Sequence, residues 1–164
     1  AYNRLVRLRS AIHTAFVALD AQIRQRHELL QVWTATLREA LDASAQQVAA
    51  VEVAAGQLMQ ATDKARPRPS ARPAIESLRL AEQALVASRE QLVGTLPAHL
   101  HQPTLSASGA DLFGLGGQIL AVDSTLAFAR AQFNLAVEEF NRALTQFPTR
   151  LLTGLFGFQA AACL

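Results

Sequence analysis

The sequence predicts an all-α fold, an antiparallel bundle of three long helices with a short C-terminal helical segment. Three observations carry this. Apolar residues recur at helical spacing along most of the chain. Hydrophobic residues make up 51% of it while aromatics supply only 6%, an Ala/Leu-rich balance that suits helices better than strands, which draw on Val, Ile, Thr and aromatics. The one proline-rich stretch falls between two such apolar patterns. At 164 residues the chain is long enough for one domain with a buried core, and 1–164 reads as that single domain.

The first helix is predicted over about residues 2–62. From Leu5 through Leu8, Ile12, Phe16, Leu19, Ile23, Leu30, Trp33 and Leu37 to Leu41 the steps are 3, 4, 4, 3, 4, 7, 3, 4 and 4, which average the 3.6 residues per turn of an α-helix. The missed turn falls at Arg26-His27. The stripe then thins to Ala45, Val48, Val51, Ala55 and Leu58, and Gly56 marks a fray or bend point. Asp20/Arg24, Arg24/Glu28 and Arg38/Asp42 stand four apart, pairs worth about 0.3 kcal/mol each on an exposed helix face.

Residues 63–73 read DKARPRPSARP. This is the expected linker, extended and solvated, because proline cannot continue a helix. Its Lys64, Arg66, Arg68 and Arg72 are a soluble connection or a contact for anionic lipid headgroups or nucleic acid, without the interleaved aromatics that base stacking needs. The second helix is expected over about 73–96, with Ile75, Leu78, Leu85, Leu92 and Leu96 on its apolar side and Pro97 just past its end. A loop follows over 97–109. The third helix, about 110–147, opens on a capping-box pattern at Ser108 and Asp111, is weakened by Gly114, Gly116 and Gly117, and carries Ile119, Val122, Leu126, Phe133, Val137, Phe140 and Leu144. Its end holds a beat of coiled-coil length: Phe133-Asn134, Phe140-Asn141, Phe147-Pro148. The tail, 148–164, is an apolar segment through Phe156 and Phe158.

The motifs for chemistry are thin. A net charge of +2 sets up no field for nucleic acid. The single cysteine, Cys163, permits no internal disulfide. His99-x-His101 lacks further ligands at metal spacing, and the glycines at 114, 116 and 117 have neither the preceding strand nor the Lys-Ser/Thr of a phosphate cradle. Glu138 and Glu139 are adjacent on a helix, so their side chains diverge by about 100°. No Gly-x-Ser-x-Gly occurs. Asn134 and Asn141 share one helix face beside the Phe stripe. They fit a register-fixing role between helices, a plain boundary role, or a ligand site.

No window is expected to reach the roughly 18 apolar residues of a transmembrane helix, the nearest being 151–164, which Thr153, Gly154, Gly157 and Gln159 break. The chain starts inside a helix with no cap, and Arg4, Arg7 and Arg9 crowd that start against the helix dipole. Both points predict further chain upstream of Ala1, such as a membrane span.

These residues resemble the LemA family. The likeness opens at Tyr2-Asn3-x-Leu5-Val6-x-x-Arg9 and continues through Ala15-Phe16, Leu19-Asp20, Gln22-Ile23 and Arg26-His27-Glu28-Leu29-Leu30. It resumes at Ala129-Arg130, Phe133-Asn134, Phe140-Asn141, Phe147-Pro148 and Leu155-Phe156-Gly157-Phe158. The match is strong at both ends and weak over about 44–109. The resemblance implies an all-helical bacterial bundle tethered by one transmembrane helix just before the Tyr-Asn pair, with no agreed enzymatic activity and with some relatives linked to membrane organelles or envelope function. Gln31 stands where the family has Pro, and 159–164 departs from the family's charged end.

The expectation is therefore a non-enzymatic scaffold or protein-interaction module, anchored in the bacterial inner membrane upstream of this segment, with its body in the cytoplasm. The alternative is a bundle that binds lipid or another apolar ligand. The expected partners are a protein of unspecified identity and membrane lipid, with no cofactor, metal or nucleic acid. Tyr2, Asn3, Phe133, Asn134, Phe140, Asn141, Phe147, Pro148, Phe156 and Phe158 are the structural or interaction residues, with the tail around 155–158 exposed.

Overall fold

A computed structural model describes residues 2–40, 44–97, 107–146 and 157–164, with only the backbone course for 107–111. The described residues form four helices, α1 (Tyr2–Ala40), α2 (Ala45–Ala65), α3 (Arg72–Thr95) and α4 (Ala107–Thr145). Arg38 donates to Glu52 at 2.8 Å and Arg66 to Asp20 at 2.8 Å, so α2 runs back along α1. Ser44 meets Thr95 at 3.5 Å, which sets α3 antiparallel to α2. Arg4 reaches Gln146 at 3.3 Å and Phe16 faces Phe133 at 6.0 Å, which sets α4 antiparallel to α1. The course is up, down, up, down. The α1–α4 and α2–α3 pairs pack along their lengths and α1 touches α2, but α3 and α4 stand apart.

The all-α bundle is the one the periodicity implied, but the first helix is two. It ends at Ala40, resumes at Ala45, and folds back as a hairpin. The reason lies in burial. A 60-residue helix would reach about 90 Å, while the 39-residue α4 spans about 58 Å. An unbroken first helix would carry its second stripe past the end of every partner. Folded back, Val48, Val51, Ala55 and Leu58 are buried. Periodicity alone cannot report this turn, because the stripe resumes with the same 3.6-residue repeat. Helix α2 runs straight through Gly56, where no fray appears.

The linker is shorter than expected. Helix α2 continues to Ala65 and α3 begins at Arg72, leaving 66–71. This connection is tied by backbone bonds from Arg66 to Thr62, Arg68 to Ala65 and Ala71 to Arg68. Helix α4 starts at Ala107, so Ser108 lies inside it instead of capping it. The loop containing His99 and His101, and the residues Phe147, Pro148 and Phe156, lie outside the described residues.

Helix α4 has two apolar faces. Leu112, Ile119, Val122, Leu126, Ala129, Phe133, Val137, Phe140 and Leu144 are buried, whereas Phe113, Leu120, Phe128 and Leu135 are exposed. Hence, contrary to the expectation that no window qualifies, the stretch Leu112–Thr145 is by length and composition long and apolar enough to cross a membrane, with a mean hydropathy of 1.4. One face of it is the core of the bundle.

Candidate functional site

The seam that α3 and α4 leave open is the candidate site, and the chain's own C-terminus fills half of it. Residues 157–164 carry no helix, contrary to the expected helical segment. They lie as an extended strap. Asn141 pairs with it twice: its Nδ2 donates to the Ala161 carbonyl at 2.9 Å, and its Oδ1 accepts from the Ala161 N–H at 2.9 Å. Asn134 accepts from the Leu164 N–H at 2.7 Å. A carboxamide carries the same donor and acceptor as a peptide group. Two Asn side chains thus give an α-helix, whose backbone groups are already used, a ladder edge for an extended chain. The spacings agree. Seven helical residues rise about 10.5 Å, and three extended residues from Ala161 to Leu164 span about 10 Å. Neither Asn sets register between helices, nor is it an idle boundary residue.

Phe133 and Phe140 of the predicted ladder are fully buried. Phe158, expected to be exposed, is 2% exposed. Its ring lies 6.2 Å from Phe140 and 5.9 Å edge-on from Tyr2, with the Arg9 guanidinium 4.8 Å above it. Gly157 makes the turn into the strap with φ +67°, a left-handed conformation that a side chain would strain. Asn3 is exposed on α1 and takes no part. The far end of the strap, Leu164, lines a cavity of about 110 Å³ with Leu19, Leu58, Leu78 and Leu126, so the strap ends against all four helices. Asn141→Ala leaves the Ala161 peptide unpaired and is expected to cost about 2 kcal/mol. Urea unfolding measures this, and faster amide exchange at Ala161 and Leu164 than in α2 locates it.

Beyond Leu164 the seam is floored by a charged cluster that sequence reasoning missed. Arg26 is 2% exposed and occupies the missed turn of the first stripe. It grips Glu82 with both guanidinium nitrogens, one at 2.7 Å, and its Nη1 lies 3.6 Å from Asp123. Arg89 holds the same Asp123 at 2.9 and 3.2 Å. Two guanidinium groups and two carboxylates tie α1, α3 and α4 with no net charge. Burial opposes the charge on Arg26, but Glu82 and Asp123 keep it firmly protonated. Bidentate arginine pairs of this kind hold geometry.

The open half of the seam is a groove of about 590 Å³ over this cluster, with Val86, Val93, Leu126 and Arg130 on its walls. It passes into an apolar cleft of about 410 Å³ against Trp33, Leu37, Leu112 and Ile119. Among the described residues the linings hold Glu82 and Asp123 locked by arginine, an exposed Glu90, and no Ser, Cys or His. The arrangement can bind a ligand against an apolar wall and a paired charged floor.

A second cluster sits where α1 meets the end of α2. Asp20 accepts from Arg24 at 3.1 Å and from Arg66 at 2.8 Å, and Arg66 also holds Asp63 at 2.7 Å. Of the predicted surface pairs, Asp20/Arg24 forms; Asp42 lies outside the described residues, and Arg38 meets Glu52 across the hairpin. Burial alone would raise the Asp20 carboxyl, but hydrogen bonds from Arg66 and Arg24 outweigh it and hold it below the usual range. The unfolded chain therefore takes up this proton first on acidification. The stabilisation is complete above the ordinary carboxylate pKa of about 3.9 and is lost as pH falls through the lower folded value. Asp20→Asn should lower stability at pH 7 and flatten its decline below about pH 5, read as urea midpoints across a pH series.

Other predicted features stay apart. Glu138 and Glu139 are exposed. The Cys163 Sγ lies 4.0 Å from the Asn134 carbonyl, and burial pushes its thiol pKa up, which makes it a poor nucleophile. Among the described residues no group of His, Cys, Asp and Glu could hold a metal.

Fold and seam together define a class: a four-helix up-down bundle whose open side is half closed by its own extended C-terminus. The LemA family model matches residues 15–164, and the chain belongs to the LemA family. No curated protein and no solved structure matches it. The family is associated with membranes.

Proposed function

We propose that this chain is the body of a membrane-tethered, non-enzymatic scaffold of the bacterial envelope, anchored in the inner membrane by a helix upstream of Tyr2, with the body in the cytoplasm. One observation carries the reading. In the first half of α1, Arg9 lines one surface pocket with Arg68 of the α2–α3 connection, Arg72 at the start of α3 and Phe158, and Arg4 and Arg7 stand exposed within two turns of Arg9 toward the start of the helix. A basic patch near the N-terminus suits a body that emerges from a membrane carrying anionic headgroups on its cytoplasmic side. The neutral, fully paired floor of the seam supports a binding role over proton transfer. The test is fractionation of the natural full-length protein. It should stay in the membrane pellet through high salt and leave it only in detergent; release by salt alone would overturn the tether.

The alternative, a bundle that binds an apolar ligand, has the cleft at Trp33, Leu112 and Ile119 in its favour. Co-sedimentation of residues 1–164 with neutral and anionic vesicles tests it, and failure to bind either retires it.

A further inference from the structure

We infer that the outer face of α4 is a self-association surface, on which a second copy of this chain docks its own α4 antiparallel about a two-fold axis at Ser124. This does not rest on the membrane tether and is tested without it. The face comprises Phe113, Gly117, Leu120, Ser124, Phe128, Ala131 and Leu135, all exposed, with the four large side chains at least half exposed. Its steps are 4, 3, 4, 4, 3 and 4, and large residues alternate with small ones. The pattern reads the same from either end. A self-complementary face of this kind is what a two-fold, isologous contact requires.

Charge and space agree with a second α4 as the occupant. Between Phe113 and Leu135 the charged residues are Asp123, held by Arg89 and Arg26, and the exposed Arg130, which the two-fold sets opposite Gln118, so the antiparallel pair brings no like charges together. In that pair Phe128 of one copy lies over Leu120 of the other, Ala131 over Gly117, and Leu135 over Phe113. The cleft of about 410 Å³ opens beside this contact, bounded by Gly116, Gly117, Phe113, Leu120 and Val93. A Cβ at Gly116 or Gly117 would meet nothing within 4 Å. Among the described residues nothing packs on these glycines, although each weakens a helix by about 1 kcal/mol. Gly117, on this face, leaves a second helix room at the usual interaxial distance of about 8–10 Å. The four large side chains offer on the order of 400 Å² per copy. That is about half the roughly 800 Å² per partner of a standard stable interface, so the dimer is a weak one.

Sedimentation velocity of residues 1–164 from about 5 to about 500 µM, the range in which a contact of this size assembles, should show a concentration-dependent shift from monomer to dimer. Phe128→Glu should remain monomeric throughout with unchanged helical circular dichroism. Should that variant misfold, Leu135→Gln carries the same reading. With Cys163→Ala as background, Ser124→Cys should cross-link to itself much faster than Ser77→Cys on exposed α3. A monomer over the whole range, a Phe128→Glu protein that still dimerises, or equal cross-linking at both positions would overturn the inference. So would vesicle binding that is lost in Phe128→Glu in a chain that never dimerises, which would give the face to lipid.

Discussion

Arg26→Met should lower the free energy of unfolding by about 3 kcal/mol, a fall in melting temperature of about 6–12 °C for a chain of this length. The substitution keeps the volume and the apolar stem but removes the charge that neutralises Glu82. Glu82 then lies in the seam with its side chain only 18% exposed, and Arg89, two turns along the same helix, is already forked onto Asp123. Breaking one partner of a buried pair costs more than the pair is worth, because the other charge stays behind. The double substitution Arg26→Met with Glu82→Leu should therefore recover most of the loss. A double-mutant cycle by urea unfolding reads the coupling directly. If the single variant were as stable as the parent, the cluster would have no structural role.

Phe133→Ala should cost about 4 kcal/mol. Phe133 is 0% exposed, sits at the middle of the α1–α4 contact, and meets Phe16 edge to face. Phe133→Leu should cost only about 1 kcal/mol, since most of the volume is kept. The informative comparison is Phe128→Ala, five residues earlier on the same helix. Phe128 is 66% exposed, and its truncation should stay within about 0.5 kcal/mol of the parent under dilute, monomeric conditions. Equal losses at the two positions would mean that α4 is rotated from the orientation described.

Particular residues show why some of this was legible and some was not. The α1 and α4 stripes, and the buried Phe133 and Phe140, follow from spacing alone, because a helix repeats its face every 3.6 residues whatever it packs against. The charged cluster leaves a trace in the apolar stripes. The first stripe skips a turn at Arg26, and the second helix skips one at Glu82 between Leu78 and Leu85 and another at Arg89 between Leu85 and Leu92. A gap in an apolar stripe filled by a charged residue, on two helices that must pack together, is the signature of a buried ion pair. The spacing puts Asn134 and Asn141 on one face of α4 but does not say whether they set register, edge the stripe or hold a ligand; their partner is the chain's own end.

By itself the sequence determined the helical class, the phase of each buried stripe and the family, since these depend on local repeats and on motifs read one after another. Only the tertiary structure decided that the first long helix doubles back after Ala40, that Arg26 finds Glu82 56 residues away, and that the tail runs extended along α4. Each of these is set by which distant surface remains to be covered or which buried charge must be matched, and no local repeat carries that information.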